Sequence, residues 1–326
     1  MAFHKNSLRL DCTAVCEELV ANLRSDVRQT LRRSGAVVGI SGGVDSSVVL
    51  ALCVRAFGPK RVLGVMMPEK ECSDDSIVLA RQLADQFGVE TVVENLTNAL
   101  VGFGCYSRRD EAIQRVFPEY DSSYKAKITL PGNLLESDTL NLFHLTVISP
   151  DGEERSKRLD LPEYLQIVAA SNLKQRSRMT MLYYHAELRN YAVVGTPNKN
   201  EHDLGFFVKW GDGGYDVAPI RHLFKTQVFQ LAEYLAVPAE IREATPTTGT
   251  YSAPSSQEEF FFRLPFDVMD LLWYALEHDV PVTETAQVMG LTEDQVQRVF
   301  ADLIHKQRTT QYLRTLPIGY GQNKTG

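Results

Sequence analysis

The sequence predicts a doubly wound α/β protein built on a parallel sheet. Three short apolar segments rich in β-branched residues, 36–40, 62–67 and 90–94, have the pattern of buried strands. Helical patterns separate them, and a fourth strand-like segment at 191–195 follows a long helical stretch at 165–189. Strands that alternate with helices at this spacing form a parallel sheet with helices on both faces.

Start and stop signals mark the helices. Residues 12–33 carry apolar side chains near helical spacing, and Asp11 is the predicted N-cap. The helix after the first strand ends at Gly58-Pro59, and Ser73 is expected to cap the next one. Further helices are predicted at 108–117, 226–235 and 266–277, and the C-terminal part, 258–313, is predicted to be helical.

One region interrupts the alternation of strands and helices. Residues 142–148 are strand-like and meet a turn signal at Pro150-Asp151-Gly152, and residues 155–161 are predicted to return as a partner strand. We therefore expect a β insertion at 125–161 on the α/β body. The length of the whole chain, 326 residues, suits a single domain over residues 1–326 that includes this insertion and the helical C-terminal part.

Composition excludes several classes of partner. Hydrophobic residues make up 44% and charged residues 23% of the chain, as in soluble globular proteins, and the net charge of −7 argues against a nucleic-acid or membrane-surface binder. No apolar run reaches membrane-spanning length, and residues 1–11 lack the apolar core of a signal peptide. The five cysteines form no Cys-x-x-Cys pair, so reduced thiols in a cytoplasmic protein are expected.

The central motif is Ser-Gly-Gly-Val-Asp-Ser-Ser at 41–47, between the first strand and an apolar helix. This arrangement is typical of a phosphate cradle, because Gly42 and Gly43 allow a close approach and the helix N-terminus offers unpaired N–H groups. The serine hydroxyls add donors. Asp45 would repel phosphate, so it indicates a divalent cation between its carboxylate and the phosphate oxygens. The Walker loop and the dinucleotide fingerprint are both excluded by sequence.

The motif resembles the pyrophosphate loop (S-G-G-x-D-S-S/T) of the ATP pyrophosphatase superfamily, whose members split ATP into AMP and pyrophosphate to activate a substrate. The resemblance implies an adenine nucleotide alpha hydrolase-like fold. Further blocks, in order and at closely similar spacing, resemble the NAD synthetase family. They are 172–179, 194–196 with Glu201, 209–214 with Asp216, 219–220 with Lys225, 245–247, Glu258-Glu259 ahead of Phe266 and Asp270, and His305-Lys306. The resemblance covers residues 12–124 and 163–313.

This resemblance implies an ammonia-dependent ligase that amidates deamido-NAD. ATP, the co-substrate, would convert the nicotinate carboxylate into an acyl-adenylate, which ammonia then attacks to release NAD and AMP. Asp45 and Glu201, two carboxylates expected on loops at one edge of the sheet, would share one Mg²⁺. Lys225 would neutralise charge on the departing pyrophosphate, so Asp45 and Lys225 are the implied catalytic residues.

The resemblance also implies the substrate contacts. The ATP contacts are Ser41, Gly42, Gly43, Val44, Asp45, Ser46, Ser47, Thr196, Lys225 and Thr247. The deamido-NAD contacts are Arg176, Lys209, Asp216, His305 and Lys306. The alternative for Arg176, near Lys174 and Arg178, is a solvated basic helix face, and the alternative for residues 305–308 is a basic helix end.

The family is homodimeric, with the dinucleotide near the subunit interface, so a homodimer is implied. The residues ahead of the pyrophosphate loop are too few for a glutaminase domain, so the ammonia is expected to be free or to come from a separate protein.

Several departures from the family concern the segment after Thr247. Thr248-Gly249-Thr250 replaces Ala-Glu/Asp-Leu, Arg263 replaces a Gly, and Phe266 replaces a Tyr. Segment 245–257 is rich in Thr, Ser, Pro and Gly, and we expect a mobile lid without apolar residues to hold it to the core. These departures leave open an alternative: another ATP-pyrophosphatase amide ligase that acts on a different carboxylate.

A regulator that senses nucleotides and binds DNA is an alternative of another class. Residues 284–296 have the outline of a helix-turn-helix. The segment is acidic and carries no Arg or Lys before Arg298, which disfavours phosphate contacts. A packed helical hairpin is therefore the favoured interpretation.

Overall fold

The computed structural model describes residues 3–72, 74–130, 132–136, 142–247 and 249–320. Within these ranges the body is a four-stranded parallel sheet. Its strands, numbered in chain order, are β1 (Ala36–Gly39), β2 (Val62–Met66), β3 (Glu90–Val93) and β7 (Ala192–Val193). Their spatial order is β3-β2-β1-β7. The chain order therefore reverses direction at β1, and ligands of such sheets bind at this point, beyond the carboxyl ends of the strands.

The helices account for most of the remaining described chain. They are α1 (Cys12–Ser25), α2 (Val44–Phe57), α3 (Asp74–Phe87), α4 (Thr97–Gly102), α5 (Cys105–Val116), α6 (Leu161–Arg189), α7 (Lys199–Leu204), α8 (Lys225–Tyr234), α9 (Ala239–Glu243), α10 (Phe266–Glu277), α11 (Val282–Met289), α12 (Glu293–Thr309) and α13 (Gln311–Arg314). No helix within the described ranges is long and apolar enough to cross a membrane.

Both faces of the sheet are covered at β1, β2 and β7, which is why these three strands are apolar throughout. Ala36, Val38 and Ile40 enter a cluster with residues of α1, α2 and α8. Val37 points to the other face, where it belongs to a cluster with Val193 and with residues of α6. This alternation follows from the two-residue period of a strand. The predicted doubly wound α/β fold is confirmed.

The insertion is a second sheet, which is three-stranded and antiparallel over the described residues. Its strands are β4 (Lys125–Thr129), β5 (His144–Ile148) and β6 (Glu154–Arg158). The prediction of two strands missed β4, where lysines alternate with Ala126 and Ile128. The predicted strand at 155–161 was too long, because Asp160 caps α6 and a proline in its first turn favours a helix start.

One helical prediction also needs correction. The helix expected over 12–33 is α-helical only to Ser25 and continues as a π-helical turn at Asp26–Thr30. Asp11 does cap it, since its carboxylate accepts hydrogen bonds from two backbone N–H groups. The predicted cap Ser73 lies outside the described residues.

The C-terminal helices form a packed core of their own. Val296 and Val299 of α12 are fully buried in a cluster with Trp273 of α10. The hairpin of α11 and α12 therefore uses its apolar face for packing. This agrees with the helical hairpin favoured by the sequence.

A buried ion network ties the segment after β2 to α5 and α6. The Nζ atom of Lys174, 1% exposed, lies 2.6 Å from Glu71 Oε2 and 3.2 Å from Glu69 Oε1. Arg109 Nη1 lies 2.7 Å from the same oxygen of Glu71. Tyr106 donates its hydroxyl to Glu69 Oε2 at 2.6 Å. Lys174 is thus a buried ion-pair partner, and the solvated-face interpretation does not hold for it.

The network makes the free energy of unfolding depend on pH in the acidic range. Burial disfavours the ionised form of Glu71, but the hydrogen bonds and charges of Arg109 and Lys174 outweigh it and lower its pKa to about 2. Because the folded-state pKa is depressed, the stabilisation is fully present above the ordinary value of 4.5 and is lost as pH falls toward about 2.

Glu71→Gln should lower the free energy of unfolding by about 3 kcal/mol at pH 7, because it leaves two buried cations without this partner. The difference from the unsubstituted protein should shrink between pH 4.5 and about 2. Urea unfolding at several pH values measures this. Glu111→Gln is the matched control, since that carboxylate is 70% exposed and its ion pair contributes about 1 kcal/mol or less. Equal effects of both substitutions would refute the assignment.

Candidate active site

The pyrophosphate-loop motif connects β1 to α2. Gly43 is the N-cap of α2, and within the described chain no side chain caps this helix, so its first N–H groups face outward. Ser46 and Ser47 both donate their hydroxyls to the carbonyl of Gly43 at 2.9 Å, which fixes the turn. Gly42 has φ +77°, and a Cβ there would lie 2.7 Å from the carbonyl oxygen of Ser76. The loop therefore requires glycine at position 42 for both conformation and space.

Asp45, in the first turn of α2, is held by two residues from the chain that follows β7. Lys225 forms an ion pair with Asp45 Oδ2. Asn198 donates its side-chain amide to Asp45 Oδ1 at 3.0 Å. Lys225 is 1% exposed, so its charge depends on this carboxylate for compensation. The structure thus brings the two predicted catalytic residues into contact.

Glu201 lies next to this pair, in α7 rather than on the predicted loop. Asn198 caps α7, and the backbone N–H of Asn198 donates back to Glu201 Oε2 at 3.2 Å. Burial and the nearby charge of Asp45 raise the pKa of Glu201 well above its ordinary value, although Lys225 acts in the opposite direction. When both carboxyl groups are ionised, two negative charges face one ammonium group in this site.

Lys225 is positioned by a buried shell behind it. Its backbone N–H, at the start of α8, donates to Asn200 Oδ1 at 2.9 Å. Asp270 is fully buried, accepts hydrogen bonds from Asn200 and from the backbone N–H and hydroxyl of Thr226, and thereby caps α8. Burial raises the pKa of Asp270 to about 6. This shell fixes where the lysine ammonium points.

The donor set fits a magnesium ion that binds together with a nucleotide. Mg²⁺ is bound by one or two protein carboxylates and completes its octahedral shell with phosphate oxygens and water. Asp45 and Glu201 supply the carboxylates beside the phosphate cradle. No group of three or more acidic, His or Cys side chains suited to a metal occurs among the residues described, so a metal cage made of protein alone is not the kind of site found here.

The remaining predicted ATP contacts, Thr196 and Thr247, lie on two different loops. Thr196 follows β7 and is partly buried, and Thr247 is exposed and pairs with Ser256 through an antiparallel bridge. These roles stay predictions.

Two of the five residues implied for deamido-NAD, Lys209 and Lys306, bond to other groups of this chain. Lys209 donates to the carbonyls of Tyr312 and Thr315 at 2.9 and 2.7 Å. Lys306 is buried, with its Nζ 2.7 Å from Asp302 and 2.8 Å from the carbonyl of Phe261.

Of the other three residues, Asp216 binds a backbone group, whereas Arg176 and His305 are exposed to solvent. Asp216 accepts from the backbone N–H of Val193 at 2.8 Å and from the hydroxyl of Tyr183 at 3.0 Å. The assignment of these five residues to deamido-NAD therefore remains a prediction.

The premise of the mobile-lid prediction was wrong. Segment 245–257 does contain residues that hold it to the core. Ala253 is 2% exposed, and Tyr251 packs against a hydrophobic cluster that includes Ile128 and Leu145 of the insertion. Lys174 also donates to the carbonyl of Thr250 at 2.9 Å. Two apolar residues in a polar sequence, Tyr251 and Ala253, thus contribute to anchoring it. Thr248 lies outside the described residues.

Sequence reasoning missed two polar residues at this centre. Asn198 had a visible signal, because Asn-Lys-Asn-Glu at 198–201 has the spacing of a capping box, with a capping residue followed three positions later by Glu. Gln257, whose side-chain amide donates to Glu201 Oε1 at 3.3 Å, had none, since it comes from a loop 56 residues away.

Fold and site together define a PP-loop ATP pyrophosphatase: a parallel sheet with an uncapped helix N-terminus, an aspartate and a buried lysine at its switch point. The NAD synthase family model matches residues 15–116 and 143–317. The chain belongs to the NAD synthase family.

Individual relatives agree with this assignment. The NH(3)-dependent NAD(+) synthetase of Mesorhizobium japonicum is 51% identical over 95% of this chain and 97% of its own length. That of Thermotoga maritima is 35% identical over 82% of this chain and 89% of its own. Among solved structures, the NH3-dependent NAD synthetase from Campylobacter jejuni superposes with a TM-score of 0.61 at 21% identity, covering 95% of this chain and 99% of that one. The family model leaves residues 117–142 unmatched, and these include β4.

Gly42→Ala should destabilise the protein by about 2 kcal/mol, because the substitution combines a positive φ with a backbone collision. Gly43→Ala is the control for stability: Gly43 has φ −90°, and a Cβ there meets only the Ser41 hydroxyl, at 3.3 Å. Thermal unfolding of both variants measures the difference. If Gly43→Ala is as destabilising as Gly42→Ala, the steric argument is wrong.

Proposed function

We propose that this protein amidates deamido-NAD with ammonia, driven by conversion of ATP to AMP and pyrophosphate. The observation that carries the proposal is the contact of Lys225 with Asp45 beside Glu201, at the N-terminus of α2. The substrate carboxylate attacks the α-phosphorus of ATP, and pyrophosphate leaves. Ammonia then attacks the acyl carbon, and AMP departs with the electrons of the acyl–oxygen bond.

The chain's own groups act mainly by placement and charge. The N-terminus of α2 binds phosphate oxygens through its outward N–H groups. Lys225 holds its charge against the departing pyrophosphate, and Asp270 and Asn200 keep it oriented from behind. No side-chain nucleophile is required, so the rate comes from orientation of two anions and from exclusion of water.

We also propose that Asp45 and Glu201 hold Mg²⁺ with the nucleotide. When bound, the ion neutralises phosphate charge and offsets the repulsion between the two carboxylates.

A homodimer is our further proposal. Arg176, Thr180, Tyr184 and Leu188 recur every four residues along α6, and all are exposed. Tyr184 and Leu188 are 54% and 65% exposed, and Phe103, after the neighbouring α4, is 56% exposed. Apolar surface of this kind is typical of a protein interface. Arg176 would then lie where a second subunit completes the dinucleotide site. Five free cysteines suit the cytoplasmic location that we propose with it.

The direct test is product analysis with the purified chain, ATP, Mg²⁺ and deamido-NAD. With ammonium the mixture should yield NAD, AMP and pyrophosphate in equal amounts. With glutamine in place of ammonium it should yield no NAD. Formation of ADP and phosphate would contradict the adenylate route, and NAD formed from glutamine alone would contradict the dependence on free ammonia.

Asp45→Asn and Glu201→Gln should each reduce turnover by at least about a hundredfold, since each removes a carboxylate from a site that must hold a metal–triphosphate complex. Circular dichroism should show that both variants remain folded. Glu111→Gln, which neutralises a carboxylate that is 70% exposed on α5, is the comparison for nonspecific effects on expression and folding. Near-normal turnover by Glu201→Gln at limiting Mg²⁺ would remove Glu201 from the metal site.

A further inference from the structure

The loop between α9 and α10 forms a closed unit with a base and a tip. At the base, Thr247 and Ser256 form an antiparallel bridge, and the backbone N–H of Gln257 donates to the carbonyl of Pro246 at 2.9 Å. The tip comprises residues 250–253. Because the base is closed, contacts made by the tip restrict the position of Gln257.

Gln257 extends from the base into the candidate metal site. It is 8% exposed, and its Nε2 donates to Glu201 Oε1 at 3.3 Å. In this contact the amide NH₂ of Gln257 faces the carboxyl group of Glu201. The buried Oε1 of Gln257 then points elsewhere, and among the described residues it has no hydrogen-bond partner. A buried amide oxygen is normally hydrogen-bonded to a donor. A water molecule bound to a Mg²⁺ ion could serve as that donor.

The tip is held by β4 of the insertion. The backbone N–H of Ala126 donates to the Ser252 hydroxyl at 2.9 Å, and the N–H of Ala253 donates to the carbonyl of Ala126 at 3.1 Å. Tyr251 packs on Phe260, with ring centroids 5.4 Å apart. Both backbone groups of one β4 residue are thus used by the loop, and β4 lies in the stretch that the family model leaves unmatched.

We infer that Gln257 is a positioning residue for the metal ligand Glu201, and that the β insertion keeps it in place by anchoring the tip of its loop. The inference rests on the proposed role of Glu201 in holding Mg²⁺ with ATP. Gln257 fixes one carboxylate oxygen by donation and offers its own Oε1 to the shell of the ion. The anchor removes the need to order a polar loop when nucleotide binds, and ordering such a loop costs conformational entropy.

Gln257→Met tests the contact, because methionine fills a similar volume without donor or acceptor. The Mg²⁺ concentration that gives half-maximal rate at saturating ATP should rise roughly tenfold, the effect of one hydrogen bond to a charged group. High Mg²⁺ should restore the rate, which a general loss of fold would not allow. Should Gln257→Met fail to fold, Gln257→Asn keeps the amide but is too short to reach Glu201, and it should show the same shift.

Ser252→Ala tests the anchor at a distance from the metal site. It removes the acceptor of Ala126 N–H and should raise the Mg²⁺ requirement in the same direction by about threefold. Ser255→Ala is the matched control: the same substitution in the same loop, at a buried serine whose hydroxyl contacts the backbone carbonyl of Ser256. It should leave the Mg²⁺ requirement unchanged.

A binding measurement separates this inference from the proposed reaction. Calorimetry with an ATP analogue carrying a methylene between its α and β phosphorus atoms needs no deamido-NAD and no turnover. Weaker Mg²⁺-dependent binding by Gln257→Met and Ser252→Ala supports the inference even if NAD is not the product. An unchanged Mg²⁺ dependence in folded Gln257→Met overturns it, and so does a shift in Ser255→Ala as large as that in Ser252→Ala.

Discussion

The site depends on one electrostatic constraint: two carboxylates must stand close together at a partly buried sheet edge. Asp45 and Glu201 follow two neighbouring strands, since Asp45 lies after β1 and Glu201 lies after β7. Their repulsion is compensated by a single buried cation, Lys225. Removal of one partner from a buried pair leaves an uncompensated charge that costs several kcal/mol. The same imbalance, which is unfavourable in the free protein, would give the site affinity for a divalent cation.

The constraint explains why so many buried polar groups stand behind the site. Asn198 serves two purposes, since it caps α7 and donates to Asp45. Asp270 caps α8 and holds Asn200, which in turn binds the backbone of Lys225. Asn198 contacts a helix terminus and a candidate site residue together, and Asp270 supports Lys225 through Asn200, so helix packing and the geometry of the site cannot vary independently.

The sequence was sufficient for the parallel sheet, because apolar β-branched runs and Gly-rich turns are local signals. It was also sufficient for Asp45, Lys225 and Glu201 as candidates, through their motifs. Local signals could not place the contact of Ala126 with Ser252, which joins residues 126 apart in the chain. They also left open a solvated basic face that included Lys174, whose burial depends on two glutamates contributed by a different segment. Charge patterns along a helix do not reveal which partners tertiary packing supplies.

The residues implied for deamido-NAD connect dinucleotide binding to the assembly of two subunits. Lys209, Lys306 and Asp216 already use their polar atoms on carbonyls, a carboxylate or the backbone of their own chain. A dinucleotide carries a pyrophosphate and a nicotinate carboxylate, and these anions need cations that can turn toward them. Arg176 has that freedom, since it is exposed on α6 beside the apolar positions Tyr184 and Leu188. If a second subunit covers this face, it buries the apolar side chains and also lowers the dielectric around Arg176, which strengthens its attraction for the anion. Dimerisation and dinucleotide binding would then depend on the same face of α6.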